Sequence, residues 1–511
     1  MVVAILVIGV ITFLIYVKWR QTYWTRRGLP TAKTEFFFGD VRKAITGVEP
    51  LAVTTKNRYN EIKALGVKHA GFYMFWRQIY FPVDLQIIKN IMQQDADHFQ
   101  SHGGYYHSDD VLSTHLFILE NQRWKELRAK LTPAFTSGKI KIMFETLTEK
   151  TELLIAAVGK LADETEGFAI KNVCGNFTTD VIASCGFGIE CDSLNEPDNA
   201  FRNFGKKLLV PNLLRFALTN IVNWNLLVKL GFTGFGRKTS QFFIDLVKDT
   251  IKHREDNEVF IKDFMHLLLQ LKNQGVISDK TNVNRTKSAK GILSENDIIG
   301  QCFVFFIAGF ETSSSTMTFT MLELAQNQDI QDKLRKEIKE VLAKHDGKLT
   351  YEAAMEMPYL DKVVNEALRK FPPLPFIPRK CTRNYQIPGT DVVLEKGTGV
   401  HIPVWGIHND PEYFPNPDVF DPERFSEKNK ASRPEYSYLP FGAGPRICIV
   451  CEYSKIFLGL RFGKLQAKVG LTALLNNFKF TLNEKTPMPI QIDRGFIITV
   501  KGNVWVDAVR L

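Results

Sequence analysis

One cysteine in this chain stands in a setting suited to ligation. Cys448 closes the run Pro440-Phe-Gly-Ala-Gly-Pro-Arg-Ile-Cys-Ile449, a loop broken by glycine and proline, with the Arg446 cation two residues before it. A thiolate held beside a cation and just short of a helix start is a strong metal ligand, and this is how sulfur is offered to haem iron. The bland alternative is a glycine-rich turn carrying an inert thiol. A second constellation is Ala308-Gly-Phe-Glu-Thr312. Ala308 and Gly309 take bulk away from one patch, and Glu311 and Thr312 set an acid and a hydroxyl beside it. An acid linked to solvent, with a hydroxyl that widens the helix and holds water, can feed protons to a reacting group. The bland alternative makes Gly309 a packing notch and Thr312 a back-bonded helix hydroxyl. Trp124 and Arg128 lie four residues apart on one helical face, as N–H donors suited to carboxylates.

These groups need rigid elements to hold them. Ser294-Glu-Asn-Asp297 predicts a capping box opening a helix that runs without proline to about Asn327. Cys302 to Phe310 is apolar on all faces, which sends that helix through the centre of the protein. Gly71 to Phe81 is aromatic and β-prone and predicts a hairpin turning at Arg77-Gln78. Helical patterns dominate from Asp84 to Phe371, the polar stretch Asn273 to Lys290 predicts a loop, and short β-like runs fall in 371–400 and 488–506. The predicted fold class is mainly α with a small β-sheet region to one side. Glu366 and Arg369 put opposite charges at i and i+3 on one helix.

Phe441, Gly444, Arg446 and Cys448 complete the pattern Phe-x-x-Gly-x-Arg-x-Cys, which resembles the haem-ligand loop of the cytochrome P450 superfamily, the haem-thiolate monooxygenases. The run 308–312 is similar to that family's oxygen-activation segment. The resemblance covers nearly all of the chain after the N-terminal segment. Leu131-Thr-Pro-Ala-Phe-Thr-Ser-Gly138 and Glu311-Thr-Ser-Ser-Ser315 look like the insect microsomal branch associated with detoxification. The resemblance implies the cytochrome P450 fold, with a long central helix over haem b and Cys448 as the iron ligand. It implies that Trp124, Arg128, Arg379 and Arg446 meet the haem propionates, and that Ala308, Gly309 and Phe441 lie beside the haem. Glu311 and Thr312 would then be catalytic, and Glu366–Arg369 would be a buried pair locked to Arg424. His401 and His408 read as ordinary histidines. Segments 105–117, 208–216, 303–310, 374–378 and 495–498 would line a pocket for a lipophilic small molecule, xenobiotic or endogenous lipid or hormone. Electrons would come from NADPH through NADPH–cytochrome P450 reductase, with cytochrome b5 as an accessory donor. Arg461, Lys464 and Lys468 share a helix face that would meet the acidic reductase; the bland reading is a solvated basic face.

The text departs from the family after Ile449. Val450 stands where a small residue is expected, and Gly459-Leu-Arg-Phe-Gly463 resumes the expected reading, so Val450 to Leu458 reads as an insertion. Nine residues are about 2.5 helical turns, which would rotate a continuous helix by about half a turn, so a bulged loop is expected. A splice or gene-model error is the preferred explanation. The alternative function is a haem-binding pseudoenzyme disabled by the insertion.

Lys+Arg of 65 against Asp+Glu of 55 gives +10, spread without a basic stripe, which excludes nucleic acid as a partner and suits an acidic partner or anionic lipid. Seven irregularly spaced cysteines argue for a reducing compartment. Met1 to Val17 is apolar and uncharged, followed by Lys18, Arg20, Arg26 and Arg27 with Trp19, Tyr23 and Trp24 among them. That order predicts a transmembrane signal anchor (1–17), a basic and aromatic flank with a hinge (18–30) and a catalytic domain (31–511) on the cytosolic side of the endoplasmic reticulum membrane. The Asn176 and Asn284 glycosylation sequons would then be idle.

Overall fold

The Glu295–Gln326 helix threads the molecule, and most of the chain is arranged around it. Its start is the expected capping box: the Ser294 hydroxyl accepts the Asp297 N–H at 3.1 Å, and the Asp297 carboxylate accepts the Ser294 N–H at 3.0 Å. Phe303, Phe306, Phe310, Met317 and Met321 on it are buried among neighbouring helices. A computed structural model provides the fold and describes residues 1–209, 212–275, 277, 293–449 and 462–511. Most of the predicted 273–290 loop, the Asn284 sequon, Cys451, Arg461 and the Val450–Leu458 insertion lie outside the described residues. Asn176 is 8% exposed inside the Ile170–Ile182 helix, where no glycan fits.

The sheets are small, as the residue pattern predicts, but they do not all stand to one side: Phe168, Phe478, Phe480 and Val506 belong to the main core with the central helix, whereas Phe72, Tyr80, Ile377 and Val400 form a separate core. Strands β1 (His69–Met74), β2 (Arg77–Pro82), β3 (Phe168–Ala169), β4 (Ile377–Lys380), β5 (Tyr385–Gln386), β6 (Val393–Leu394), β7 (Gly399–Ile402), β8 (Phe478–Leu482) and β9 (Trp505–Arg510) form three sheets. Their orders are β1-β2-β7-β4, β3-β9-β8 and β5-β6. The hairpin turns at Phe75-Trp76, two residues before the predicted Arg77-Gln78, with Met74 opposite Arg77. Phe75 takes the left-handed conformation, φ 59°. Packing outweighs its turn propensity: Phe75 and Trp76 are buried with Val17 in one apolar cluster.

The N-terminal helix runs Val2–Arg20, and residues Val2–Arg27 are long and apolar enough to cross a membrane. The Glu295–Gln326 helix passes the same test of length and composition but is a buried core helix. Segment 18–30 keeps Lys18, Trp19 and Arg26 exposed but sends Tyr23, Trp24 and Leu29 into the body. Trp24 is 0% exposed and lies against Gly71 of β1, where an added Cβ would come within 2.2 Å of the indole. The Trp24 amide donates to the Tyr73 hydroxyl at 2.9 Å, and the Gly71 amide donates to the Pro30 carbonyl at 2.8 Å. Trp19 remains exposed, but Tyr23 and Trp24 belong to the core of the sheet region, because indole and phenol surface is better buried there than left at a chain crossing.

A charged cluster supports the cysteine loop from below. Glu366 and Arg369 are both fully buried and bonded through two contacts, Nε to Oε2 at 2.8 Å and Nη2 to Oε1 at 2.9 Å. Arg424 approaches Glu366 at 3.4 Å, and the Asp421 amide donates to the same carboxylate at 3.1 Å. Arg369 also donates to the His408 carbonyl at 3.0 Å and the Pro417 carbonyl at 2.7 Å. His408 in turn accepts the Leu439 N–H on Nε2 at 2.7 Å, one residue before the cysteine loop begins. Burial pushes the His408 pKa down to about 3, so the imidazole is neutral and free to accept. Glu423 beside this cluster is a half-exposed surface acid paired with Lys333 and Lys362. Replacing Glu366 with glutamine leaves two guanidinium groups without their counter-charge. The expected loss is about 3–5 kcal/mol, read as a lowered urea midpoint for the full-length protein in detergent.

Candidate active site

The cysteine loop is shaped by two glycines with positive φ, Gly442 at 79° and Gly444 at 67°. A Cβ on Gly444 would fall 1.8 Å from the Met92 carbonyl oxygen, so only glycine lets the loop press onto the 90–94 turn. The Cys448 amide donates to the Phe441 carbonyl at 3.0 Å, and the Ile447 amide to Gly444 at 3.0 Å, which closes the loop and leaves the Cys448 side chain exposed. Phe441 thus acts through its backbone while its ring packs on the core.

Three guanidinium groups gather beside this loop. Arg446 is over the Trp124 ring at 4.2 Å and donates to the carbonyls of Gln100 and Leu119. Arg128 donates to the Ile447 carbonyl at 2.8 Å, tying its helix, Asn121–Leu131, to the residue before the cysteine. Arg379 on β4 is 3% exposed. Burial first, then the neighbouring Arg379 and Arg128 cations, push the Arg446 pKa down to about 9, and burial pushes Arg379 down to about 10. Trp124, Arg128, Arg379 and Arg446 all line one cavity of about 500 Å³, with Ile91, Met92 and Phe99 as apolar wall. That volume lies in the range of about 300–1,000 Å³ typical of ligand sites. Mutually repelling cations on an apolar wall suit a flat, apolar ligand carrying carboxylates, which is the chemistry of a haem with its propionates.

The central helix offers a single open face. Val304, Ile307, Ala308, Glu311 and Thr312, at i, i+3, i+4, i+7 and i+8, retain accessible surface, while Phe303, Phe305, Phe306 and Phe310 are buried. The expected pocket segment 303–310 is therefore a stripe of smaller residues, and its phenylalanines are core. Gly309 also keeps part of its surface, while an added Cβ would lie 2.4 Å from Ile182 Cδ1, so it serves as a packing notch as well. The helix is regular rather than widened at Thr312, whose hydroxyl donates to the Ala308 carbonyl at 2.5 Å. Glu311 is pushed up to about 7 by burial, opposed by the Arg202 and Lys171 cations. Those two cations escaped the sequence reading, because no local spacing ties them to position 311.

The Cytochrome P450 family model matches residues 51–505. Probable cytochrome P450 6a13 of Drosophila melanogaster is 39% identical, covering 99% of this chain and 98% of its own length. Probable cytochrome P450 6a20 of the same organism is 38% identical with both chains fully covered, and cytochrome P450 6a2 is 36% identical with 99% of each covered. The chain belongs to the cytochrome P450 family. Membership makes it one of a family of haem-dependent monooxygenases; the arginine-lined cavity meets the cysteine loop at Pro445 and Arg446, with neither Cys448 nor a residue of the central helix in its wall, and its guanidinium groups suit the carboxylates of that cofactor. One reading of the P450 surface needs correction. Lys464 and Lys468 do not present a solvated basic face: both pair with Asp361, at 2.9 and 3.3 Å, and Lys468 is fully buried. The half-buried Asp361 carboxylate engages both ammonium groups and leaves neither free for a docking partner.

Because Glu311 sits at about 7 rather than its ordinary 4.5, the folded protein holds this proton more tightly than the unfolded chain. Its cost to stability is absent below the unfolded pKa and grows as pH rises through the folded one. Glu311→Gln should therefore gain stability relative to the parent between pH 5 and 8, by up to ~3 kcal/mol, in denaturant titrations at each pH.

Proposed function

We propose that this P450 is a membrane-anchored monooxygenase that binds haem b through Cys448. It draws electrons from NADPH through NADPH–cytochrome P450 reductase, with cytochrome b5 as an accessory donor. It inserts one atom of O2 into a lipophilic small molecule, a xenobiotic or an endogenous lipid or hormone. Residues 1–17 anchor it in the endoplasmic reticulum membrane and 31–511 form the cytosolic catalytic domain. The observation that carries this reading is the cavity of about 500 Å³ that gathers Trp124, Arg128, Arg379 and Arg446 against the cysteine loop.

Haem, when bound, supplies dioxygen activation and electron storage, which no side chain provides. The remaining work belongs to the chain. Arg128, Arg379, Arg446 and the Trp124 indole hold the carboxylates and fix the orientation of the ring. The closed loop offers the Cys448 sulfur without backbone rearrangement. Ala308 leaves room on the open face of the central helix. Glu311 titrates near neutral pH and can both give and regain a proton there. The Thr312 hydroxyl spends its own proton on Ala308 and keeps its oxygen free to accept from a water.

The second reading, a haem-binding pseudoenzyme, is favoured by the Val450–Leu458 stretch. A helix start close behind the sulfur favours thiolate over thiol, and an insertion there moves it away. The carbon monoxide difference spectrum of the reduced full-length protein separates the two. A thiolate-type Soret band is expected, lost in Cys448→Ser. A neutral-thiol band would establish the pseudoenzyme, and a spectrum unchanged by Cys448→Ser would remove sulfur ligation altogether.

A further inference from the structure

A second, smaller cavity of about 230 Å³ lies between the 105–118 segment and the Leu213–Ile221 helix, lined by Tyr105, His115, Arg215, Phe216, Thr219 and Phe235 among others. Its size suits one end of a molecule rather than a whole one. Arg215 is the one charged residue in that lining. One guanidinium N–H donates to the Thr233 carbonyl, and the group lies 5.1 Å from the Phe232 ring centre. Among the described residues no acid pairs with it. The buried acid Asp110 accepts the Gly234 N–H at 2.8 Å and is not part of the cavity wall.

A second donor faces the same space. His115 is 5% exposed, and its Nδ1 has no hydrogen-bond partner. Burial keeps the imidazole neutral, with its pKa pushed down to about 3. Two hydroxyls in the wall are already committed: Ser113 donates to the backbone at Asp110 and His107, and Thr219 to the Arg215 carbonyl, while the Tyr105 hydroxyl has no hydrogen-bond partner. What remains is one cation with two neutral polar groups, His115 and Tyr105, on an aromatic wall. That set matches the two oxygens and single charge of a carboxylate, and it provides too little for a dianion such as a phosphate.

We propose that this cavity is the carboxylate end of the substrate site, with Arg215 and His115 as its ligands, so that the protein takes lipophilic carboxylic acids. The proposal rests on the monooxygenase reading only for what happens to the bound molecule. The cavity backs onto the central helix at the buried Phe303, whose ring meets Phe235 at 4.8 Å and His115 at 6.3 Å. Phe303 precedes Val304, the first residue of the open face. Eight residues of helix separate Phe303 from Glu311, about 12 Å of rise. Oxidation would therefore fall on the part of the substrate remote from its acid group.

The test uses the full-length protein in lipid nanodiscs, with equilibrium dialysis of radiolabelled decanoate and decanol against empty discs. Decanoate should bind at least tenfold more tightly than decanol. Arg215→Gln, which keeps an N–H for the Thr233 carbonyl, should weaken decanoate at least tenfold and leave decanol unchanged. Arg215→Lys should recover part of the loss, and His115→Phe should weaken decanoate by a smaller factor. Equal binding of acid and alcohol by the parent, or equal loss of both in Arg215→Gln, would overturn the proposal. Dialysis needs neither electrons nor turnover, so failure of the monooxygenase reading shows separately, in the carbon monoxide spectrum.

Discussion

The buried Glu366 carboxylate is the charge on which the reactive end of this molecule depends. It holds Arg369 in a two-point contact and Arg424 at its side, and it caps the backbone at Asp421. Arg369 spends its other donors on the carbonyls of His408 and Pro417, which ties the end of the Val404–His408 helix to the irregular chain at Pro417. From His408 a single hydrogen bond reaches Leu439 and so the entry of the cysteine loop. A buried ion pair adds little stability compared with an apolar replacement. Here its worth is positional: irregular backbone has no ladder of its own, and the guanidinium supplies the missing donors.

On the other side of the loop the balance of charge is reversed. Arg128, Arg379 and Arg446 approach one another, with Asp97 in the same cavity wall and Glu120 acting on Arg446, and two of the three are held below the ordinary arginine range. Backbone carbonyls absorb part of this charge at Arg446. The fold therefore keeps an electropositive wall ready for carboxylates, at some expense to the stability of the protein alone, and ligand binding returns that expense. The same logic recurs on a smaller scale at Arg215.

Much of this was legible in the residue order. The capping box at Ser294, the proline-free run to Asn327, the Glu366–Arg369 spacing and the Cys448 loop each rest on local chemistry, and local chemistry survives folding. The failures share a cause. The hairpin turn moved to Phe75-Trp76, and Tyr23 and Trp24 left the chain crossing for the core, because distant apolar surface captured them. Lys468 turned inward to Asp361, a partner remote in sequence. Gly309 proved to be shaped by Ile182, and the Glu311 carboxyl by Arg202 and Lys171. Periodicity shows which face of a helix is special. It does not show which neighbour arrives to meet it.

The seating of Trp24 against Gly71 also bears on mechanics. With Tyr23 and Leu29 buried beside it, and Arg27 bonded to Glu395 at 2.5 Å, the stretch behind the apolar helix is clamped to the sheet. The apolar helix thus meets the body through packed side chains rather than through a free tether. Any shortened version prepared for solution work has to retain Tyr23 onward, or it opens a trench along β1.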